Sequence, residues 1–404
     1  MGVSRALPFF FLLLLCAVAC GAVPSSDEGE TVAFSLEGDL APGEEKTLCR
    51  YVRMPAAQPG DAEVFVRGGR HALSEGGHHY LLYRTTKTAW TDDLGATVPC
   101  GEHDGVLGNV TTYVTGGQTR EANADFPAAA ALAFRPGEIL LLQGHFLNAA
   151  ASPRRASVHL ELRTMAASAV EHRAGVLRFY DPFIVVPPRG KARAGMTCTI
   201  ARDVTLLSAA AHMHARGRGY AAYVDPPDGP PSATPFYTTK DGQHPTFFAG
   251  YLPVRAGSKI RFECDYESND DRAVTQGPSA ERDEMCMFNA FYFPAMAPGD
   301  EACEDMHGHG TGGASCAATT ACLEQCPASD RPHFERNDPT VGECWQRCIT
   351  QSCPNVTAKL FPQLACTAKK CEAECAAMGE ACRACVRERC APELEACQSL
   401  ACDR

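Results

Sequence analysis

Six side chains scattered along the sequence have the types and spacing to hold metal. His212 and His214 close the small-residue run Leu206-Leu207-Ser208-Ala209-Ala210-Ala211. If the segment from Val204 is extended, its period of two sends both imidazoles to one face, where they can share one ion. His78 and His79 are adjacent in Gly76-Gly77-His78-His79-Tyr80-Leu81-Leu82. Neighbours on a regular strand face opposite ways, so sharing an ion there requires a bulge or the use of different ring nitrogens. His145 interrupts the apolar strand Leu140-Leu141-Leu142-Gln143-Gly144-His145-Phe146-Leu147-Asn148, and Met285 sits beside Cys286 in Asp283-Glu284-Met285-Cys286-Met287-Phe288-Asn289. Met285 and Cys286 point to opposite faces, so one can look into a site while the other is anchored in a disulfide. Each fragment alone also fits a plain role: a wet strand face, a hydrogen-bonded filler or a core methionine. Together, three histidines in one region and two histidines with a methionine in another form two ligand kits of the kind copper prefers. The thioether favours Cu(I) over zinc.

The elements that must position these residues are strands. From about residue 28 to residue 300 the chain is rich in Gly and Pro and lacks a sustained helical period. Ser157–Arg163 and Lys259–Tyr266 alternate cleanly, each burying one face. The expected architecture is all-β: two tandem antiparallel β-sandwiches, spanning residues 28–165 and 166–305. A glycine- and histidine-containing linker, residues 306–315, is expected to be flexible. A disulfide-stapled helical module follows at residues 316–404. It carries Cys322-x3-Cys326, Cys344-x3-Cys348, Cys371-x3-Cys375 and Cys382-x2-Cys385, spacings that put cysteines on one helical face.

Composition limits the function classes. The 404-residue chain has 37 basic and 48 acidic residues, a net charge of −11 and no basic cluster, which argues against nucleic acid as a partner. No segment after the start has 18 unbroken apolar residues, so a polytopic membrane protein is excluded. Residues 1–22 read as a secretory signal: Arg5, the apolar run Ala6–Val18, then small residues. Cleavage after Ala22 and lipidation of Cys20, with membrane anchoring, are alternative outcomes. Fifteen of the 22 cysteines follow residue 300, a usage that implies disulfides in a secreted, cell-surface or periplasmic protein.

The order Cys49-Arg50-Tyr51-Val52-Arg53-Met54-Pro55, His78-His79, Leu142-Gln143-Gly144-His145, His212-x-His214 and Glu284-Met285-Cys286 resembles the copper type II ascorbate-dependent monooxygenases, the family of peptidylglycine α-hydroxylating monooxygenase and dopamine β-monooxygenase. The likeness covers about residues 30 to 305. It implies two eight- or nine-stranded jelly-roll-like domains facing a solvent-filled cleft. His78, His79 and His145 would bind an electron-transfer copper, and His212, His214 and Met285 the copper that activates O2, with ascorbate or a similar donor reducing both. Gln143 falls where the family has a glutamine implicated in the route between the coppers; a satisfied polar strand residue is its structural alternative. By the same route Cys49 pairs with Cys100, Cys198 with Cys303, and Cys264 with Cys286 on a neighbouring strand. Fourteen cysteines are then left for seven bonds in an autonomous tail.

In the peptide-processing branch an arginine two residues before the His-x-His pair, and an Asn and a Tyr two and four residues after the methionine, hold a peptide carboxylate. Here those places are Ala210, Met287 and Asn289. The implied function is therefore hydroxylation of a C–H bond in a small, less polar substrate, such as an amine or aromatic compound, rather than a C-terminal glycine peptide. A non-catalytic extracellular copper-binding or surface-interaction protein is the alternative, with the Cys-rich tail contacting a protein or surface partner. His307 and His309 repeat the His-x-His spacing on glycine-rich chain, where adventitious binding is expected. His159 belongs to a polar strand face, and His71, His103, His172, His244 and His333 have no evident partners in the sequence. Asn109 and Asn355 open glycosylation sequons.

Overall fold

The computed structural model describes residues 29–402 apart from 101–104, 128, 243–244, 278, 298–300, 302, 304–308, 331–340 and 376–378. The expected signal segment with Cys20, and His103, His244, His307 and His333, lie outside the described residues.

Two β-sandwiches and a helical, disulfide-rich region follow one another. Leaving aside two-residue strands, the first sandwich has nine strands and the second eight. In the second, one sheet runs Gly175–Asp181, Cys286–Phe293, Val204–His212, Phe248–Val254. The other runs Lys191–Thr199, Lys259–Glu267, Gly217–Asp225, Tyr237–Thr239. Successive strands alternate between sheets except for Gly217–Asp225 and Tyr237–Thr239, which pair directly, and the first strand lies beside the last, which is jelly-roll order. The first sandwich repeats it, with Thr31–Leu40, Arg154–Met165, Val64–Leu73 and Ala130–Phe134 facing Glu45–Arg53, Ile139–Leu147, Gly77–Thr85 and Val110–Gly117.

Alternation explains most of the strands. Lys259–Glu267 buries Ile260, Phe262, Cys264 and Tyr266 and leaves the residues between them half-buried. Ile139–Leu147 departs from the pattern, being buried on both faces except at its end. Leu140, Leu142 and Phe146 enter the core of the first sandwich. On the opposite face, Ile139 and Leu141 join a smaller cluster with Tyr83 and the Cys49–Cys100 disulfide. That face also carries Gln143 and His145.

The two sandwiches share an apolar seam. A register irregularity between Leu206 and Ser208 turns Leu207 out of its own core and into that of the first sandwich. Phe126 and Phe291 pack edge to face at 4.7 Å across the same seam.

All twenty cysteines from Cys49 onward form disulfides, in the pairs expected for the β region plus seven in the tail. One expectation is corrected: Cys264 and Cys286 do not lie on neighbouring strands but on facing sheets, so their bond crosses the core. In the tail, helices Cys316–Leu323 and Glu343–Thr350 are joined by Cys322–Cys348 and Cys326–Cys344. Helices Thr357–Lys370 and Glu380–Arg389 belong to a hairpin closed by the nested bonds Cys366–Cys390, Cys371–Cys385 and Cys375–Cys382.

The tether to this module is not loose in its described part, contrary to the sequence expectation. The Gly312 N–H donates to the Ser352 carbonyl, and a Cβ on Gly310 would lie 2.3 Å from that same oxygen, so glycine is needed there for close backbone approach. His309 is likewise no adventitious ligand. It is 1 % exposed, its Nδ1 lies 2.7 Å from buried Asp181 Oδ1, and its ring packs against Phe183. Phe183, from the second sandwich, also stacks on Phe361 of the module.

Candidate metal centre

Of the two ways the sequence left for adjacent histidines to share an ion, the bulge is present. The pairing of Gly77–Thr85 with Ile139–Leu147 slips between Gly77 and His79, releasing His78 from the regular alternation. His79 then lies directly opposite His145, and the Nδ1 atoms of His78 and His79 approach to 2.8 Å. One ring nitrogen from each of His78, His79 and His145 lies within 4.8 Å of the other two. Two imidazole nitrogens at 2.8 Å share a proton or turn toward a common cation. With metal–nitrogen bonds of about 2.0 Å, tetrahedral ligand atoms stand about 3.3 Å apart, so only a small opening is needed.

The outer nitrogen of His145 is occupied. Its Nε2–H donates to Glu45 Oε1 at 2.9 Å, leaving Nδ1 as the available donor atom. This bond is the main cause holding the Glu45 carboxyl down at about 2, against the opposing effect of burial. Glu45 also accepts from Ser279 Oγ of the other sandwich at 3.0 Å.

In the second set the nitrogens are used the other way round. His212 ends strand Val204–His212, and its Nδ1 hydrogen-bonds Gln118 Oε1 of the first sandwich. The Nδ1–H of His214 donates to the Asp283 carbonyl at 3.0 Å. Its Nε2 is buried with no hydrogen-bond partner among the described residues, an orphaned lone pair of the kind a cation would satisfy. The backbone N–H groups of His214 and Arg216 donate to Glu284 at 2.9 and 2.6 Å. Burial nevertheless pushes the Glu284 carboxyl up to about 7. Met285 follows, half-buried, its carbonyl accepting from the Tyr266 hydroxyl, while Met287 lies opposite His212 in the sheet.

The two sets are not separated by a solvent-filled cleft, which corrects the expectation drawn from the resemblance. The ring centroids of His79 and His212 are 5.6 Å apart and those of His78 and His214 are 6.1 Å apart. Contacts between the sandwiches hold them together: Gln118 reaches both His212 and the Gly242 carbonyl, and Ser279 reaches Glu45. Gln143 is 7 % exposed and shares the strand face of His145 two residues away. The surroundings of Ala210 are also less apolar than expected. Asn289 lies opposite Ala210, Arg178 lies opposite Asn289, and the Arg178 guanidinium covers the Tyr113 ring at 4.9 Å.

Burial, reinforced by the neighbouring imidazoles, holds His79 and His212 well below the usual histidine range, and His214 at about 3. All three are thus neutral at pH 7, the form that ligates metal. Below 6.5 the unfolded chain protonates these groups while the folded one does not, so stability is lost as pH falls. Glu284 opposes this between 4.5 and about 7, and Glu45 adds a further loss below 4.5. His71, also held low by burial, adds to the loss and Glu301, raised by burial, opposes it, so with four histidines against two carboxyls the thermal midpoint of the chelator-treated protein should drop from pH 6.5 to pH 4.5. A midpoint that is flat or rises over that interval would contradict the buried neutral cluster.

Residues 172–311 match the family model described as copper type II ascorbate-dependent monooxygenase, C-terminal domain. That segment belongs to this monooxygenase family. The match takes in about a third of the chain and contains His212, His214 and Met285, while His78, His79 and His145 precede it. The family implies copper, and the nitrogen-rich donor set with an orphaned Nε2 fits that metal. Part of the chain is similar to the major capsid protein P2 from bacteriophage PM2, with 8 % identity over 67 % of this chain and 99 % of that one and a TM-score of 0.28. It is also similar to a structure of infectious bursal disease virus, Gx strain, with 9 % identity, coverages of 68 % and 75 % and a TM-score of 0.19. Neither likeness bears on activity.

Sequence reasoning missed Glu45, Gln118, Asp283 and Glu284, the residues that hold the clustered histidines and their backbone. Only the acidic pair Asp283-Glu284, set before an apolar strand, gave a local signal. Of the histidines without evident partners, His71 is buried with Nε2 at 3.0 Å from the Thr119 carbonyl, and His172 stacks on Phe293. His159 is on the polar face as expected, beside Glu161.

Proposed function

We propose that the protein is an exported copper monooxygenase that hydroxylates a C–H bond of a small organic substrate, using O2 and ascorbate or a similar reductant. It would hold two copper ions per chain, one through Nδ1 atoms of His78, His79 and His145, the other through Nε2 atoms of His212 and His214 together with Met285. The observation that carries this reading is the division of labour within the rings. Glu45, Gln118 and the Asp283 carbonyl each engage one nitrogen of a histidine and aim the other inward. Outer partners of this kind fix the tautomer and orientation of metal-ligating histidines.

Copper in such a set supplies one-electron redox chemistry and O2 activation. The chain's own residues supply the frame. Burial keeps His79, His212 and His214 deprotonated, and the second jelly roll presents both histidines and the Met285 segment from adjacent strands. Ala210 and the buried Met287 make the strand face beside His212 apolar, while Arg178 and the Tyr113 ring border the same face. This lining favours an aromatic or otherwise weakly polar substrate. Ten disulfides are consistent with an extracellular location.

Direct contact between the two histidine sets favours a second reading, a copper-binding protein without turnover, because it leaves little room for a substrate between them. Copper loading followed by ascorbate-driven O2 uptake across amines, phenethyl compounds and C-terminal glycine peptides separates the two. Two ions with substrate-dependent uptake support the monooxygenase. Two ions without uptake support the second reading, and tight binding of the glycine peptide would overturn the substrate class.

A further inference from the structure

Met285 is flanked in sequence by Glu284 and Cys286, and each of these neighbours pairs with a residue gripped from the C-terminal part of the chain. On one side, Glu284 forms a β-bridge with Gln276. The Gln276 N–H donates to Gln346 Oε1 at 2.8 Å, and Gln346 Nε2–H donates to the Gln276 carbonyl at 3.3 Å and the Val341 carbonyl at 2.6 Å. Gln346 lies on helix Glu343–Thr350 and is 1 % exposed. On the other side, Cys286 pairs with Asp181, whose Oδ1 lies 2.7 Å from the Nδ1 of buried His309. Asp181 also accepts the backbone N–H groups of Phe183 and Gly195, so its carboxylate ties strand, loop and tether together. The two grips are themselves joined, since Gln276 Nε2–H donates to the Tyr180 hydroxyl next to Asp181.

We propose that the disulfide-rich module and its tether form a positioning element of the second copper site, with Gln346 of the module and His309 of the tether fixing the backbone on either side of Met285. The proposal rests on the reading of Met285 as a copper ligand for its functional meaning, though the grip itself does not depend on metal. Seven disulfides make the module a stiff support, and buried side-chain-to-backbone bonds transmit that stiffness where no covalent bond reaches. The expected consequence is that the thioether is held in place before metal arrives.

Hydrogen exchange on the metal-free protein tests the grip directly. Gln346→Met keeps the volume but loses the bonds to Gln276, and His309→Leu loses the bond to Asp181. His309→Asn retains a donor at that place, and Glu343→Ala changes the exposed face of the same helix. Amides of Glu284–Met287 should exchange roughly tenfold faster in Gln346→Met and His309→Leu, with Val204–His212 unaffected. His309→Asn should stay near wild type, as should Glu343→Ala. In Cu(I)-loaded protein the sulfur scatterer in X-ray absorption should weaken in the same two variants. If exchange at Glu284–Met287 is unchanged in Gln346→Met and His309→Leu, the proposal is overturned; should either variant fail to fold, the other decides alone. A wild type without sulfur scattering but with the exchange pattern intact would support the grip and refute Met285 as ligand.

Discussion

Replacing His214 by alanine should leave one copper ion per chain and cut ascorbate-driven O2 uptake by roughly a hundredfold or more, since even partners outside the coordination shell change metal affinity 10- to 100-fold. The side chain is fully buried, its Nδ1 is committed to the Asp283 carbonyl, and its Nε2 has no hydrogen-bond partner among the described residues. Alanine removes that donor atom and leaves His212 and Met285, too few to retain copper against a competing chelator. The scaffold should tolerate the change, because the bond to Glu284 comes from the backbone N–H and survives. His78, His79 and His145 should keep their ion, since they depend on Glu45 and on strands of the other sandwich. Metal analysis after dialysis, paired with oxygen electrode traces, reads both effects. Retention of two ions with normal uptake would mean that His214 is not a ligand.

Removing the Cys264–Cys286 disulfide by double alanine substitution should cost about 3 kcal/mol, from the chain entropy of a closed loop of this size. The sequence separation is 22, and both sulfurs sit in the core between facing sheets. For a sandwich of this size the loss corresponds to roughly 10 °C in the thermal midpoint. The second effect is local: Cys286 adjoins Met285, so the same variant should bind the second copper more weakly while the three-histidine site is unchanged. Calorimetry with and without copper separates the two effects. A midpoint within a degree or two of wild type would show that sheet packing alone holds this strand.

Much of the architecture could be read from local patterns. Alternation marked Lys259–Tyr266 and Ser157–Arg163, which lie within strands Lys259–Glu267 and Arg154–Met165, because each strand has one face on a core. For the adjacent His78 and His79 to share an ion, a bulge was one of two routes, and the register slips at that place. The jelly-roll order itself was accessible only through family resemblance. What stayed hidden depends on contacts between residues far apart in the chain. Gln118 touches His212 from 94 positions away, and Glu45 touches Ser279 from 234. Neither has a spacing or residue type that marks it as a partner. His309 misled for a different reason: its glycine neighbours suggested a loose tether, whereas Gly310 and Gly312 are small because the Gln351–Cys353 backbone presses against them.

The crossed contacts between the sandwiches bear on how the protein can be divided. Cut out alone, residues 172–311 would part His212 from Gln118, Gln276 from Gln346 and Leu207 from its apolar neighbours in the first sandwich. The segment that carries the family signature is thus not a portable unit. The matched segment and the working unit differ in extent, and an excised fragment would carry both histidines of the second set, with Asp283 still holding His214 but without the Gln118 that aims His212.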